Sequence, residues 1–204
     1  AEALARFGRL DLLVNNGGGQ FICPAEEMTS NGFRAVVETN LVGAFLMCRE
    51  AFTQRMRDHG GAVVNISMVV RNGVPRMAHS GAARAGVENL TKSLATEFAR
   101  AGVRVNCVAP GVIYTPSGFE NYGALGQVFL EAITPALPTK RLGTAEEVAA
   151  AVVFLLGPGA AYVTGATVGV DGGSAMVGYP FPLADTGDTS HFPVYGDASV
   201  LPPR

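Results

Sequence analysis

Short apolar runs alternate along the chain with longer stretches in which apolar residues recur every three or four positions, so strands alternating with helices are expected. Leu10–Val14 is a short apolar run between Gly8 and Asn15-Asn16-Gly17-Gly18-Gly19, the pattern of a buried parallel strand ending in a loop. The Thr29-Ser30 cap predicts a helix reaching His59, closed by Gly60-Gly61. Its inner face is read as Phe33, Val36, Val37, Leu41, Ala44, Phe45, Cys48 and Phe52. Val63-Val64-Asn65-Ile66-Ser67 is the next strand. After a loop punctuated by Gly and Pro, a helix follows from His79, with Leu90, Leu94 and Phe98 at helical spacing. Val103–Val108 predicts a third strand, and Ala109-Pro110-Gly111-Val112-Ile113 the loop at its carboxyl end. Thr144-Ala145-Glu146-Glu147 carries the capping-box pattern and opens a helix through Leu156. Ala166–Val170 is the last strand, followed by Asp171-Gly172-Gly173.

This alternation predicts an α/β fold with a parallel sheet and right-handed crossovers. Ala1–Phe7 reads as the last turns of a helix without an N-cap, as if the sequence began inside a domain. Phe119–Thr134, rich in Gly, Phe and Ala, reads as a mobile helical insertion of the kind that covers a substrate. From Gly178 onward the periodicity vanishes and Pro, Gly and Asp accumulate, so residues 178–204 are expected to form an irregular tail. No repeat or domain linker is visible.

Composition narrows the function classes. With 204 residues, 48% of them hydrophobic, the chain suits one globular domain. A net charge of -2 gives no field to gather polyanions, which argues against a nucleic-acid partner. Cys23, Cys48 and Cys107 are odd in number and widely spaced, so reduced thiols and no metal site are expected. No apolar stretch of about 18 residues and no signal-peptide pattern is present, so a soluble, cytoplasmic protein is expected.

Candidate chemistry gathers around the central strand-loop-helix stretch. Ser67 stands at the carboxyl end of a buried strand, facing the start of a helix of small residues, where open α/β sheets place their sites. Arg84 is surrounded by Ala82, Ala83, Ala85 and Gly86, residues small enough to let another group pack close. Glu88 and Lys92 follow at i+4 and i+8 and read as a solvated ion-pair ladder. His79 and Ser80 precede Arg84, and the imidazole is a candidate proton donor near neutral pH. The glycines after Asn15-Asn16 allow a flat or charged ligand to approach the backbone. Asn40 interrupts an apolar helix and marks a bend or a water site.

In this order and spacing the motifs are specific. Asn15-Asn16-Gly17-Gly18, Asn40, Asn65-Ile66-Ser67, Arg84-Ala85-Gly86-Val87, Asn106–Gly111, Arg141-Leu142-Gly143 before Glu146-Glu147-Val148, and Val170-Asp171-Gly172-Gly173 together resemble a short-chain dehydrogenase/reductase. Within that family, Gly17–Phe21, His79–Val87 and Gly111–Tyr114 are most similar to the peroxisomal trans-2-enoyl-CoA reductase group, with the dienoyl-CoA reductases as near relatives. The resemblance implies a Rossmann-like doubly wound sheet in three αβα layers, here without its first strands. Residues 1–177 would be the C-terminal two-thirds of one reductase domain. The family's glycine-rich pyrophosphate loop has no counterpart in the sequence, and neither does the residue that chooses the dinucleotide.

The resemblance also implies roles. Asn15, Asn16, Gly17 and Gly18 would border the adenosine side of NADP, with NAD as the alternative. Pro110, Gly111, Ile113 and Thr115 would border the nicotinamide, and Arg84 would hold the ribose where the family has lysine. Asn40, Ser67, His79, Ser80 and Arg84 form the implied catalytic set, with Tyr114 as a further donor. Ser80 then stands where the family has its tyrosine, thirteen residues after Ser67. Ketone reduction needs an acid on the alkoxide, whereas reduction of an α,β-unsaturated thioester needs donors on an enolate oxygen. The missing phenol therefore points to NADPH-dependent reduction of a trans-2-enoyl thioester, an acyl-CoA. The rival readings are a carbonyl reductase of the same fold and an inactive acyl-CoA-binding or scaffold protein. Dimers or tetramers through the helices Ser30–His59 and His79–Ala101 are implied as well. The terminal Leu201-Pro202-Pro203-Arg204 is not a peroxisomal address.

Overall fold

The computed structural model describes residues 2–115 and 124–177, with backbone alone at 124–129. A helix α1 (Glu2–Phe7) leads to strand β1 (Leu12–Asn15), and a long helix α2 spans 30–59. Strand β2 (Gly61–Ile66), helix α3 (Ala78–Phe98) and strand β3 (Val103–Pro110) follow. After them come β4 (Ile113–Tyr114), α4 (Ala124–Ala136), β5 (Gly143–Thr144), α5 (Ala145–Leu156) and β6 (Thr167–Val170). The strands β1-β2-β3-β6 form one sheet in that order, parallel throughout, and β4 and β5 pair separately. This is the Rossmann-like α/β arrangement expected from the alternation of runs. The predicted insertion at Phe119–Thr134 lies partly outside the described residues, as does the whole tail from Gly178.

The core divides across the sheet. Val63 and Val105 point to one face, where they meet Cys48, Phe52 and Met56 of α2 and Leu94 and Phe98 of α3. The Phe52 and Phe98 rings stack there at 3.8 Å. Val64, Ile66 and Val108 point to the other face and meet Leu155 of α5. The strands are buried on both faces, which is why they read as continuous apolar runs. Arg104 ties α5 to β3 by donating to the carbonyls of Leu155, Leu156 and Gly157, 2.7–3.3 Å away, and so satisfies the open end of that helix.

The inner face of α2 differs from the expectation. Phe33 and Phe45 are exposed, and the buried set is Val36, Asn40, Ala44, Cys48, Phe52 and Met56, spaced by fours. On a regular α-helix each step of four overshoots a full turn by about 40°, so five steps would drift by roughly 200°. The helix corrects this drift with two π-turns, Glu38–Val42 and Phe52–Met56, set between the α-helical stretches Ser30–Val37, Gly43–Ala51 and Arg57–His59. Each π-turn acts as one inserted residue, about 100° of rotation, and two of them cancel the drift.

The remaining boundaries shift by small amounts. The strand read as Leu10–Val14 runs Leu12–Asn15, because its register with β2 pairs Leu12 to Ala62 and Asn15 to Asn65. β3 continues past Val108 to Pro110, because Cys107–Pro110 pair with Thr167–Val170. Among the described residues no helix is long and apolar enough to cross a membrane. Among them, no group of three or more His, Cys, Asp or Glu is placed to hold a metal ion. The three cysteines are free. Burial pushes the Cys48 thiol up to about 11 and the Cys107 thiol up to about 12, so both stay protonated and unreactive at neutral pH.

Candidate functional site

The parallel register brings the carboxyl ends of β1, β2, β3 and β6 to one edge: Asn15 beside Asn65, Asn65 beside Cys107, and Pro110 beside Val170. The loop after β1, the N-terminal turns of α3 and the loop after β3 meet above that edge. Arg84 is the centre of the arrangement. Its Nη1 donates to the Ile66 carbonyl at 2.6 Å, and its Nη2 lies against Gly18. A Cβ at Gly18 would collide with this guanidinium and sit 2.9 Å from Asn40 Oδ1, so only glycine fits. The small residues around Arg84 do admit a close neighbour: Leu41 of α2 packs on Gly86 so tightly that a Cβ there would lie 2.8 Å from it. Burial lowers the Arg84 pKa, yet a guanidinium stays charged and can position but not relay protons.

Asn40 occupies the first π-turn of α2 and clamps the backbone of Gly19 from both sides. Its Oδ1 accepts from Gly19 N at 2.9 Å and its Nδ2 donates to Gly19 O at 3.0 Å. The π-turn thus marks the bend expected at this residue and holds the loop after β1. Asn15 turns inward, donating to Asn65 Oδ1 at 2.8 Å, with Cys48 Sγ at 3.2 Å. Its side chain supports the sheet, and only its backbone lies at the strand end. Asn16 and Gly17 continue into the exposed loop.

The structure brings Ser80 together with residues not singled out in the sequence. Its hydroxyl donates to Gln20 Oε1 at 2.8 Å and lies 3.7 Å from Met68 Sδ. Ser67 does not join this group. Val63, Asn65 and Ser67 alternate onto the face of β2 that α3 covers, so the Ser67 hydroxyl is buried 3.0 Å from Glu88 Oε1 and 3.1 Å from the Arg84 carbonyl. Met68, one residue on, takes the place expected for Ser67. The strand's period of two was the available signal. Glu88 likewise is half-buried against Ser67 rather than part of a solvated ladder.

His79 is wholly buried, with the Phe21 ring edge-on at 4.3 Å. Burial pulls its pKa down, so the imidazole is neutral at pH 7 and the expected role of a charged proton donor does not fit its surroundings. Among the described residues its Nε2 has no hydrogen-bond partner. On the opposite side, Pro110 ends β3 and Gly111 crosses Asp171 so closely that a Cβ would lie 2.7 Å from the Asp171 Cα. Ile113 pairs with Gly143, Tyr114 is half-exposed beside it, and Thr115 ends the described loop. A depression next to this loop is lined by Val112, Ile113, Leu137, Thr139, Val170 and Asp171.

Comparisons with known proteins agree with this geometry. A family model described as enoyl-(acyl carrier protein) reductase matches residues 1–175. The peroxisomal 2,4-dienoyl-CoA reductase [(3E)-enoyl-CoA-producing] of Pongo abelii is 39% identical over 94% of this chain and 65% of its own length. A probable 2,4-dienoyl-CoA reductase [(2E)-enoyl-CoA-producing] of Bacillus subtilis is 40% identical over 88% of this chain and 72% of its own. The chain thus spans just under two-thirds of the length of the Pongo relative. Among solved structures, a citronellol catabolism dehydrogenase of Pseudomonas aeruginosa matches with a TM-score of 0.72 at 44% identity, covering 85% of this chain and 66% of its own. ElxO with NADP bound matches with a TM-score of 0.79 at 32% identity, covering 86% of this chain and 71% of its own. The Arg84-centred strand-edge site, the parallel sheet beneath it and these matches lead to one conclusion: the chain belongs to the short-chain dehydrogenase/reductase family.

Proposed function

We propose that this protein is an NADPH-dependent oxidoreductase that reduces the C=C bond of a trans-2-enoyl thioester, an acyl-CoA. The observation that carries the reading is the Ser80–Gln20 pair beside Met68, on the strand edge where Arg84 is fixed. The residues present suit the nicotinamide-ribose half of a dinucleotide: a guanidinium anchored at Nη1, and a glycine at Gly18 leaving backbone where a Cβ would fill the space. Arg84 and Asn40 would hold that half, and Pro110, Gly111, Ile113 and Thr115 would border the nicotinamide. NADPH supplies a hydride when bound. Among the solved neighbours, one is titled with NADP bound and another with NADPH bound, which supports the choice.

Addition of hydride at Cβ of a conjugated thioester leaves negative charge on the thioester oxygen, and that oxygen needs donors aimed at it. Ser80 lies in the first turn of α3, whose aligned amides carry partial positive charge at this end. A half-turn of the Gln20 amide would present its N–H to Ser80 Oγ and leave the hydroxyl proton to the substrate oxygen. None of this requires an acid as strong as a phenol on the oxygen; a proton reaches Cα afterwards. A β-ketoacyl substrate would ask Ser80 for a complete proton transfer, for which an alcohol is poorly suited.

The curated relatives are titled 2,4-dienoyl-CoA reductases, which favours a second reading, a substrate whose conjugation extends one C=C further. NADPH oxidation with matched trans-2-enoyl-, 2,4-dienoyl- and β-ketoacyl-CoA substrates tests these readings together. Turnover of the enoyl-CoA at least ~100-fold above the ketoacyl-CoA is expected. The opposite ranking would make the enzyme a carbonyl reductase, and binding without NADPH oxidation would make it a binding protein. Replacing Ser80 by Ala should lower kcat on the preferred substrate by about 10²-fold, the usual loss for one oxyanion donor, with little change in the KM for NADPH. Unchanged kcat would remove Ser80 from the mechanism.

A further inference from the structure

Arg84 and Glu88 stand at i and i+4 on α3, the spacing at which an arginine and a glutamate ordinarily close on each other. Here they do not. The ion pairs among the described residues are Arg9–Asp11, Arg49–Glu50, Arg57–Asp58 and Arg141–Glu147. Instead both side chains reach to adjacent residues at the tip of β2, with opposite polarity. Arg84 Nη1 gives a proton to the Ile66 carbonyl at 2.6 Å, and Glu88 Oε1 takes one from the Ser67 hydroxyl at 3.0 Å. Ser67 is itself fixed, since its N–H donates to the Val108 carbonyl at 2.8 Å. The hydroxyl has one proton, and the Met68 and Arg84 carbonyls at 3.2 and 3.1 Å compete for it with a charged carboxylate, which is the stronger acceptor.

We infer that Glu88 is a positioning residue held by Ser67 away from Arg84, so that the guanidinium stays turned toward Gly18 and the cofactor ribose. This rests on the reductase reading above. Ser67 is then a latch on a competitor for Arg84, in place of the direct substrate contact expected of it from the sequence. Without the hydroxyl, Glu88 closes the i,i+4 pair and draws Arg84 off the ribose. Lys92, exposed one turn further along, is the other cation within helical reach of Glu88, and closure onto it would leave Arg84 undisturbed.

The test is a double-variant titration of the full chain with NADPH, followed by the nucleotide's fluorescence. Ser67→Ala should raise the Kd by about five- to tenfold. Adding Glu88→Gln to it should return the Kd to within about twofold of the unaltered enzyme, because a neutral amide does not compete for the guanidinium. A purely structural role for Ser67 predicts instead that the second substitution adds to the damage. That result would overturn the inference, as would an unchanged Kd in the Ser67→Ala variant, the outcome of closure onto Lys92. Should the alanine variant fail to fold, Ser67→Cys fills the same space with a weak donor, and the same rescue by Glu88→Gln is required of it. Failure of the unaltered enzyme to bind NADPH would overturn the reductase reading and this inference with it. Binding without rescue overturns this inference alone.

Discussion

Arg84→Ala is expected to lower kcat/KM by about 10²- to 10³-fold, with most of the loss in the KM for NADPH. The substitution removes three things at once. The Ile66 carbonyl at the end of β2 loses its 2.6 Å donor, the ledge against Gly18 becomes a void, and the ribose loses a cation held in one orientation. Lysine at the same place keeps the charge but offers a compact ammonium that cannot reach the Ile66 carbonyl and the ribose as a planar fork does. Arg84→Lys should therefore fall between the two, within about tenfold of the unaltered enzyme. Steady-state kinetics with NADPH varied at saturating enoyl-CoA provide the measurement. If Arg84→Ala kept its KM for NADPH, the cofactor would have to lie elsewhere.

Asn65→Leu should destabilise the fold by about 3 kcal/mol, a loss of roughly 6–12 °C in Tm for a chain of this size. Asn65 is fully buried on the apolar face shared by α2, α3 and the sheet. Its Oδ1 accepts from Asn15 at 2.8 Å and its Nδ2 donates to Thr91 at 2.9 Å, while Thr91 passes its own proton to the Val87 carbonyl. Leucine has nearly the same bulk and none of the partners, so Asn15 and Thr91 are left short in a place water cannot reach. A thermal melt followed by circular dichroism decides it. A Tm within about 2 °C of the unaltered protein would show that the network contributes little.

Much of this architecture was legible because buried parallel strands leave an unmistakable mark. Val63-Val64 and Val103–Val108 are apolar on both faces, and turn residues fence them on either side. Arg84 stood out for a related reason, since an arginine among alanines and a glycine has no surface to decorate. The misreadings came from questions one residue wide. Ser67 and Met68 are neighbours at a strand end, and which of them faces Ser80 depends on the strand's period of two carried past its last paired residue. The Gln20–Ser80 contact joins residues sixty positions apart and has no local trace. His79 was read as a titrating group because nothing in its neighbours announces that the ring of Phe21 would help seal it from water.

The fours in α2 carry a consequence for how the gene can vary. Loss of a single codon between Glu38 and Val42 would turn the π-turn into plain α-helix, a local change the backbone accepts readily and a hydropathy plot would not register. Everything downstream would nevertheless swing by about 100°, carrying Ala44 and Cys48 off the sheet and turning polar neighbours toward it. Asn40 would lose its hold on Gly19 in the same stroke. Point substitutions along this helix can be absorbed one at a time, but its length between Val36 and Met56 is a counted quantity, and the lineage can change it only by compensating at the other π-turn.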